Sequence, residues 1–159
     1  MKKEKFIFVT LFVISTAILF SQTAEEKLLS KKEKVLLSYR YQATHGNRII
    51  KLQVLDKLEE GLASKEFTTD DAQVLDIVVY LTQEGTSRKD FENNVLVNNY
   101  PDVRMKACKV LAKFKDDNAR RALIEIIKND TNAAVLAEAC NALGAIGDNA
   151  NGDVLRAII

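Results

Sequence analysis

Tryptophan is absent from this 159-residue chain, proline and histidine occur once each, cysteine twice and glycine six times. So little Pro and Gly excludes a collagen-like or linker-rich chain. His45, Cys108 and Cys140 cannot supply the four Cys/His ligands of an ordinary structural zinc site, and any Ser-His-Asp arrangement has to rest on His45 alone. Charge of one sign is missing too. Lys and Arg total 23 against 22 Asp and Glu, a net charge of +1, which gives no strongly basic nucleic-acid-binding surface and no acidic tail. A chain of this length makes one domain.

What is present begins with an asymmetric N-terminus. Met1-Lys2-Lys3-Glu4-Lys5 is a short basic head, and Phe6 to Phe20 is an apolar stretch interrupted by Thr10, Ser15 and Thr16. That stretch is shorter than the roughly 20 apolar residues a membrane-spanning helix needs, so a secretory signal over residues 1–21, cut after Ser21 or near Ala24, is favoured over an anchor. The segment carries three Lys and one Glu, so its removal turns the net charge from +1 to −1. Electrostatic capture by a membrane or a nucleic acid is then still less expected. The compact head looks bacterial, which sends the mature chain to the periplasm, the cell envelope or outside the cell.

Self-similarity dominates the rest. A shift of 32 residues places Ala107-Cys108 on Ala139-Cys140, Leu111 on Leu143, Leu123 on Leu155 and Ile126-Ile127 on Ile158-Ile159. A backward shift places Leu75 on Ala107, Val79 on Leu111, Arg88 on Arg120 and Phe91 on Leu123, a more diverged copy beginning near Thr69. Within each copy apolar residues recur at helical spacing: Val103, Ala107, Val110, Leu111 and Phe114, then Ala119, Ala122, Leu123, Ile126 and Ile127. Pro101, Asp70, Asn132 and Asn151 stand at expected helix starts, and Asp116-Asp117-Asn118, Gly147-Asp148 and Glu84-Gly85 at expected turns. Glu26 to Tyr41 and Asn47 to Leu62 read as two further helices around Thr44-His45-Gly46. No strand-like alternation is read anywhere. The expectation is an all-α fold over residues 25–159, a short right-handed α-solenoid of about four hairpins near 25–62, 69–98, 101–130 and 132–159. Hairpins too thin to fold alone bury a continuous core by stacking.

Tyr100-Pro101-Asp102-Val103-Arg104, the Ala107-to-Leu111 spacing and the turn Asp116-Asp117 resemble the bacterial HEAT-repeat pattern, including its phycobilisome-lyase-like members, well over 101–159 and loosely over 69–98. The resemblance implies that first helices form one layer and second helices line the concave side, with Asp102 and Arg104 linking neighbouring repeats. At the same positions the next copy has Ala134 and Leu136, and the previous one Asp70 and Ala72. The resemblance further implies binding of macromolecules, with some relatives resembling lyases that attach bilin pigments.

No catalytic, metal or cofactor residue emerges. Cys108 and Cys140 occupy equivalent places on stacked helices about 8 to 10 Å apart, too far for a disulfide, and read as small core thiols. His45 reads as an exposed loop residue. The pairs Glu59-Glu60, Asp70-Asp71 and Asp116-Asp117 read as solvated helix ends, and Asn149-Ala150-Asn151-Gly152-Asp153 lacks the order and terminal Glu of a calcium loop. What remains is a concave strip of Lys89, Glu92, Asn93 and Leu96 from one copy, Arg121, Ile124, Glu125 and Lys128 from the next, and Asp153 with Arg156 from the last. Mixed charge with exposed apolar groups suits a protein partner better than a phosphate backbone, although these residues would equally serve as solvated helix faces. The leading expectation is an exported, non-enzymatic adaptor. A chaperone- or lyase-like holder of a cofactor or client is the alternative, and self-association through the apolar C-terminal edge Val154 to Ile159 is a third reading.

Overall fold

Helix boundaries follow the local chemistry closely. In the computed structural model, which describes residues 27, 29, 31–147 and 152–158, helix α1 covers residues 31–45. The expected export signal and the residues Asn149 to Asn151 lie outside the described residues. Helix α2 (Arg48–Ser64) starts at Asn47, whose side chain accepts from the Ile50 amide at 3.1 Å. Helix α3 (Ala72–Thr82) follows a turn in which the amide of Phe67 returns to the carbonyl of Gly61. That return needs glycine at 61, because a Cβ there would come within 2.2 Å of the buried Phe67 ring.

Helix α4 (Pro101–Leu111) has Pro at its first turn, where a missing N–H costs nothing. Helix α5 (Asp117–Asn129) is capped by Asp116, which accepts from Ala119, and α6 (Ala133–Ile146) by Asn132, which accepts from Ala134 and Val135. Gly147, at φ +79°, ends α6, and α7 (Asp153–Ile158) completes the described chain. Between α3 and α4 the chain makes a two-stranded antiparallel hairpin, β1 (Phe91–Glu92) and β2 (Val95–Leu96), with Phe91 opposite Leu96 and Glu92 opposite Val95.

Residues 39–159 form one compact unit with two layers of helices. In one layer α2 packs on α4 and α4 on α6; in the other α3 packs on α5 and α5 on α7. The layers interlock because α3 also packs against α4, and α5 against α6. The core therefore lies between layers, with Leu55 and Leu58 of α2, Val78 and Leu81 of α3, Val103, Ala107 and Leu111 of α4, then Phe114 and Leu123, all wholly inaccessible to solvent.

This layering moves the repeat frame. Helix α3 stacks with the second helices, so α2 with α3, α4 with α5 and α6 with α7 are the equivalent pairs; the two helices expected over 25–62 are present as α1 and α2, 101–130 and 132–159 hold two helices each, and the expected hairpin 69–98 is corrected, since α3 is its single helix. The 32-residue shift failed upstream of α4 because 18 residues intervene between Thr82 and Pro101, where α5 and α6 are joined by only a few. Residues 83–100 contain no second helix, and the expectation of no strand is corrected by β1 and β2.

A seam of charges runs along the α2–α4 contact. Arg48 pairs with Asp102 at 2.8 Å, Lys106 with Asp56 at 2.9 Å and Glu59 at 2.5 Å, and Lys113 with Glu59 at 3.3 Å. Asp102 thus links neighbouring repeats, as the sequence resemblance implies. Hydrogen bonding from Lys106 draws the Glu59 carboxyl below its ordinary value against the opposing effect of burial. Burial pushes Asp102 up, but the bonds and charge of Arg48 more than offset it, leaving that carboxyl lowered too. A carboxyl lowered in the folded state contributes stability above its unfolded pKa and loses it as pH falls through the folded value. The expected result is stability level near neutrality and falling below about pH 4.5, with the fall reduced in Glu59→Gln and Asp102→Asn. Urea midpoints measured between pH 3 and 7 check it; an unchanged acid slope in both variants would count against the seam.

Candidate protein-binding groove

Helices α3 and α5 stand side by side in the second layer and leave a groove of about 440 Å³ between them. Its floor is Leu75 and Val79 from α3 and Ala122 and Ile126 from α5. Each pair is spaced i,i+4, which sets both side chains on one helix face. Ala122 and Ala72 line the space with methyl groups where longer side chains would fill it. Asp76 and Gln83 on α3, and Asn118, Arg121 and Glu125 on α5, make a polar rim. Glu125 is held at 3.3 Å by Lys128 and accepts from Asn129, whereas Arg121 and Asp76 carry no ion pair among the described residues.

Thr86 and Ser87 of the connection also line the groove, and a buried polar network fixes that wall. Glu84 is wholly inaccessible; its carboxylate accepts from Lys51 Nζ of α2 at 2.6 Å and from Asn98 Nδ2 at 3.2 Å. Arg104 of α4 donates to the Glu84 carbonyl at 2.8 Å and to Asn99 at 3.0 Å, and grips Asp130 with two bonds of 2.5 and 3.1 Å. Asp130 in turn accepts from the Asn132 amide at the start of α6. Gly85 sits at φ +70°, and a Cβ there would meet the Asn99 backbone at 2.6 Å. Beside this network two guanidinium groups lie against the Tyr80 ring, Arg88 at 3.3 Å and Arg40 at 4.9 Å from its centroid. Burial pushes the Tyr80 phenol up.

The structure distributes the sequence-expected strip unevenly. Arg121 and Glu125 line the groove, and Lys128 is exposed one turn further along α5. Arg156 is exposed on α7. Ile124 is corrected, being buried at 9% exposure, because α5 has α3 on one side and α7 on the other and so buries a wider arc than one stripe. Lys89, Glu92 and Asn93, with Leu96, are corrected as well: none is on a second helix. Lys89 precedes β1, Glu92 ends it, and Asn93 and Asn94 make the turn with φ of 49° and 65°. Two successive positive φ values define the turn that matches strand twist, and Asn tolerates them. Asn93-Asn94 between Phe-Glu and Val-Leu was the signal that could have found this hairpin. Nothing in the pattern marked Lys51, Glu84 and Asn98, because charged residues in an apolar setting read as surface until a partner is placed.

The remaining sequence candidates resolve as polar contacts. His45 ends α1, exposed, with its ring stacked on Tyr41 at 4.4 Å and bonded to Thr44 at 2.7 Å. Glu60 pairs with Lys57, Asp71 accepts from the Thr68 amide, and Asp117 pairs with Arg120. Among the described residues no group of His, Cys, Asp and Glu could hold a metal ion, and no helix is long and apolar enough to cross a membrane.

Neither cysteine is in a disulfide; Cys108 is buried, with its thiol pushed up to about 12 by burial, while Cys140 is half-buried, less enclosed than a core thiol. Iodoacetamide at pH 8 is expected to label Cys140 at least about tenfold faster than Cys108 in the native protein. Equal rates at the two positions would contradict the packing of α4.

Residues 94–159 match the family model of HEAT repeats. The match covers α4 to α7 and the hairpin strand β2, and with the two helical layers it makes the fold all-α and HEAT-like. No curated protein and no solved structure matches the chain.

Proposed function

We propose that this protein is a non-enzymatic scaffold or adaptor that holds a segment of a partner protein in the α3–α5 groove, after export to the cell envelope. HEAT repeats generally mediate protein–protein contacts. The observation that carries the reading is the groove itself: an apolar floor of Leu75, Val79, Ala122 and Ile126 under a rim with both signs of charge. Such a cleft offers desolvated apolar area for affinity and placed charges for orientation, the two components of protein recognition. The basic head and apolar stretch before Ser21 support export.

The test compares capture from envelope extract by the wild type and by Arg121→Glu with Ala122→Lys. The second substitution fills the groove from a half-buried site. Loss of one specific protein, with helical content and melting unchanged, is the expected result. Identical capture by both forms would remove the groove from consideration.

A further inference from the structure

Resting on that reading of the groove, we propose that its resident occupant is the β1–β2 finger of a second copy of this chain, exchanged reciprocally to give a closed dimer that a client must displace. The finger has no part in the core. Phe91 is 60% exposed and Val95 64%, and Val97 is exposed beside them. In the antiparallel register Phe91 and Leu96 share one face while Glu92 and Val95 share the other, so apolar side chains stand on both faces. A projection that is apolar on both faces needs walls on both sides. A flat surface covers only one, whereas the groove between α3 and α5 has two helical walls and an apolar floor.

Charge fits as well. Lys89 and Glu92 flank the apolar tip, exposed and without an ion pair among the described residues, and across the groove Asp76 and Arg121 are in the same condition. Glu92 against Arg121 and Lys89 against Asp76 would pair all four, and the alternating signs set one orientation. The finger is also presented rigidly, because Asn98 at its base is buried and bonded to Glu84, Arg88 and Asp90. Reciprocity follows from chain continuity. Thr86 and Ser87 line the groove and Phe91 follows four residues later, so finger and groove adjoin and one two-fold axis can satisfy both exchanges.

The experiment is sedimentation of the purified full chain from about 1 to 200 µM, a range set by the modest apolar area of two symmetry-related finger contacts. The mass should rise with concentration and stop at twice the monomer. Phe91→Ser with Val95→Ser, at exposed positions that leave the core untouched, should weaken association by at least about 30-fold. Arg121→Glu should weaken it too, and adding Glu92→Arg to it should restore dimer formation, a rescue that mere unfolding would not give. A wild type that stays monomeric overturns the proposal, as does a finger variant that dimerises unchanged, which would move association to the C-terminal edge. Mass climbing past the dimer overturns the reciprocal closure. The capture experiment fails or succeeds separately: a monomeric wild type that still loses its partner in Arg121→Glu, Ala122→Lys keeps the client reading and ends this one. If both hold, the finger variant captures more client than the wild type.

Discussion

Glu84→Ala is expected to destabilise the protein by about 3–5 kcal/mol, the cost of leaving one member of a buried ion pair without its partner. Lys51 is 4% exposed and Glu84 wholly inaccessible, so water cannot replace the lost carboxylate at 2.6 Å from Lys51 Nζ. Asn98 keeps its bond to the Arg88 carbonyl, and Arg88, which pairs with Glu84 at 3.5 Å, is partly exposed to water, so the damage concentrates on the buried Lys51. Removing both charges should hurt far less: Lys51→Met with Glu84→Leu is expected near the wild type, since the uncompensated charge, and not the missing attraction, dominates the single variant. Urea unfolding of the two singles and the double closes the cycle. A Glu84→Ala cost under about 1 kcal/mol, the range of exposed pairs, would mean that the connection after α3 is solvated.

Arg104→Met is expected to cost a similar amount, about 3–5 kcal/mol, for a related reason. Arg104 and Asp130 are almost completely buried, and the guanidinium also serves the Glu84 carbonyl and Asn99, so one side chain joins α4 to the connection before it and to the α5–α6 junction after it. Arg104→Lys separates charge from shape. An ammonium keeps the attraction to Asp130 but cannot make two parallel bonds to a carboxylate while donating elsewhere, so it should recover only part of the loss. Hydrogen exchange should then quicken at the first turn of α6, where Asn132 and Asp130 meet, as well as around Gly85. Arg104→Lys with the stability of the wild type would show that the fork geometry contributes nothing.

Much of this was visible in the chain of residues. The stripe Val103, Ala107, Val110, Leu111 and Phe114 is wholly inaccessible, as its helical spacing implied. Asn132 caps α6 and Pro101 opens α4. Arg121 and Glu125 line the groove because i,i+4 spacing opposite a buried stripe suffices to place them. Lys89, Glu92 and Asn93 fall outside the strip because the connection after α3 is longer than the others and breaks the 32-residue period. Ile124 went astray because a helix with neighbours on both flanks buries more than the stripe its sequence marks.

The sequence by itself determined the local structure of α4, α5 and α6: where these helices begin and end, which stripe of α4 is inward, and that this part of the chain is a stack of helices instead of a sheet. Those features rest on interactions within four residues, which any reader of spacing and caps can enumerate. Only the tertiary structure decided that α3 stacks with α5 and not with α4's layer, that residues 83–100 make a finger, and that Lys51 meets Glu84 across 33 positions. Each of those depends on which distant groups become neighbours once a common core is buried. A lysine or glutamate reads the same in either setting until burial removes its water and leaves a single partner to replace it.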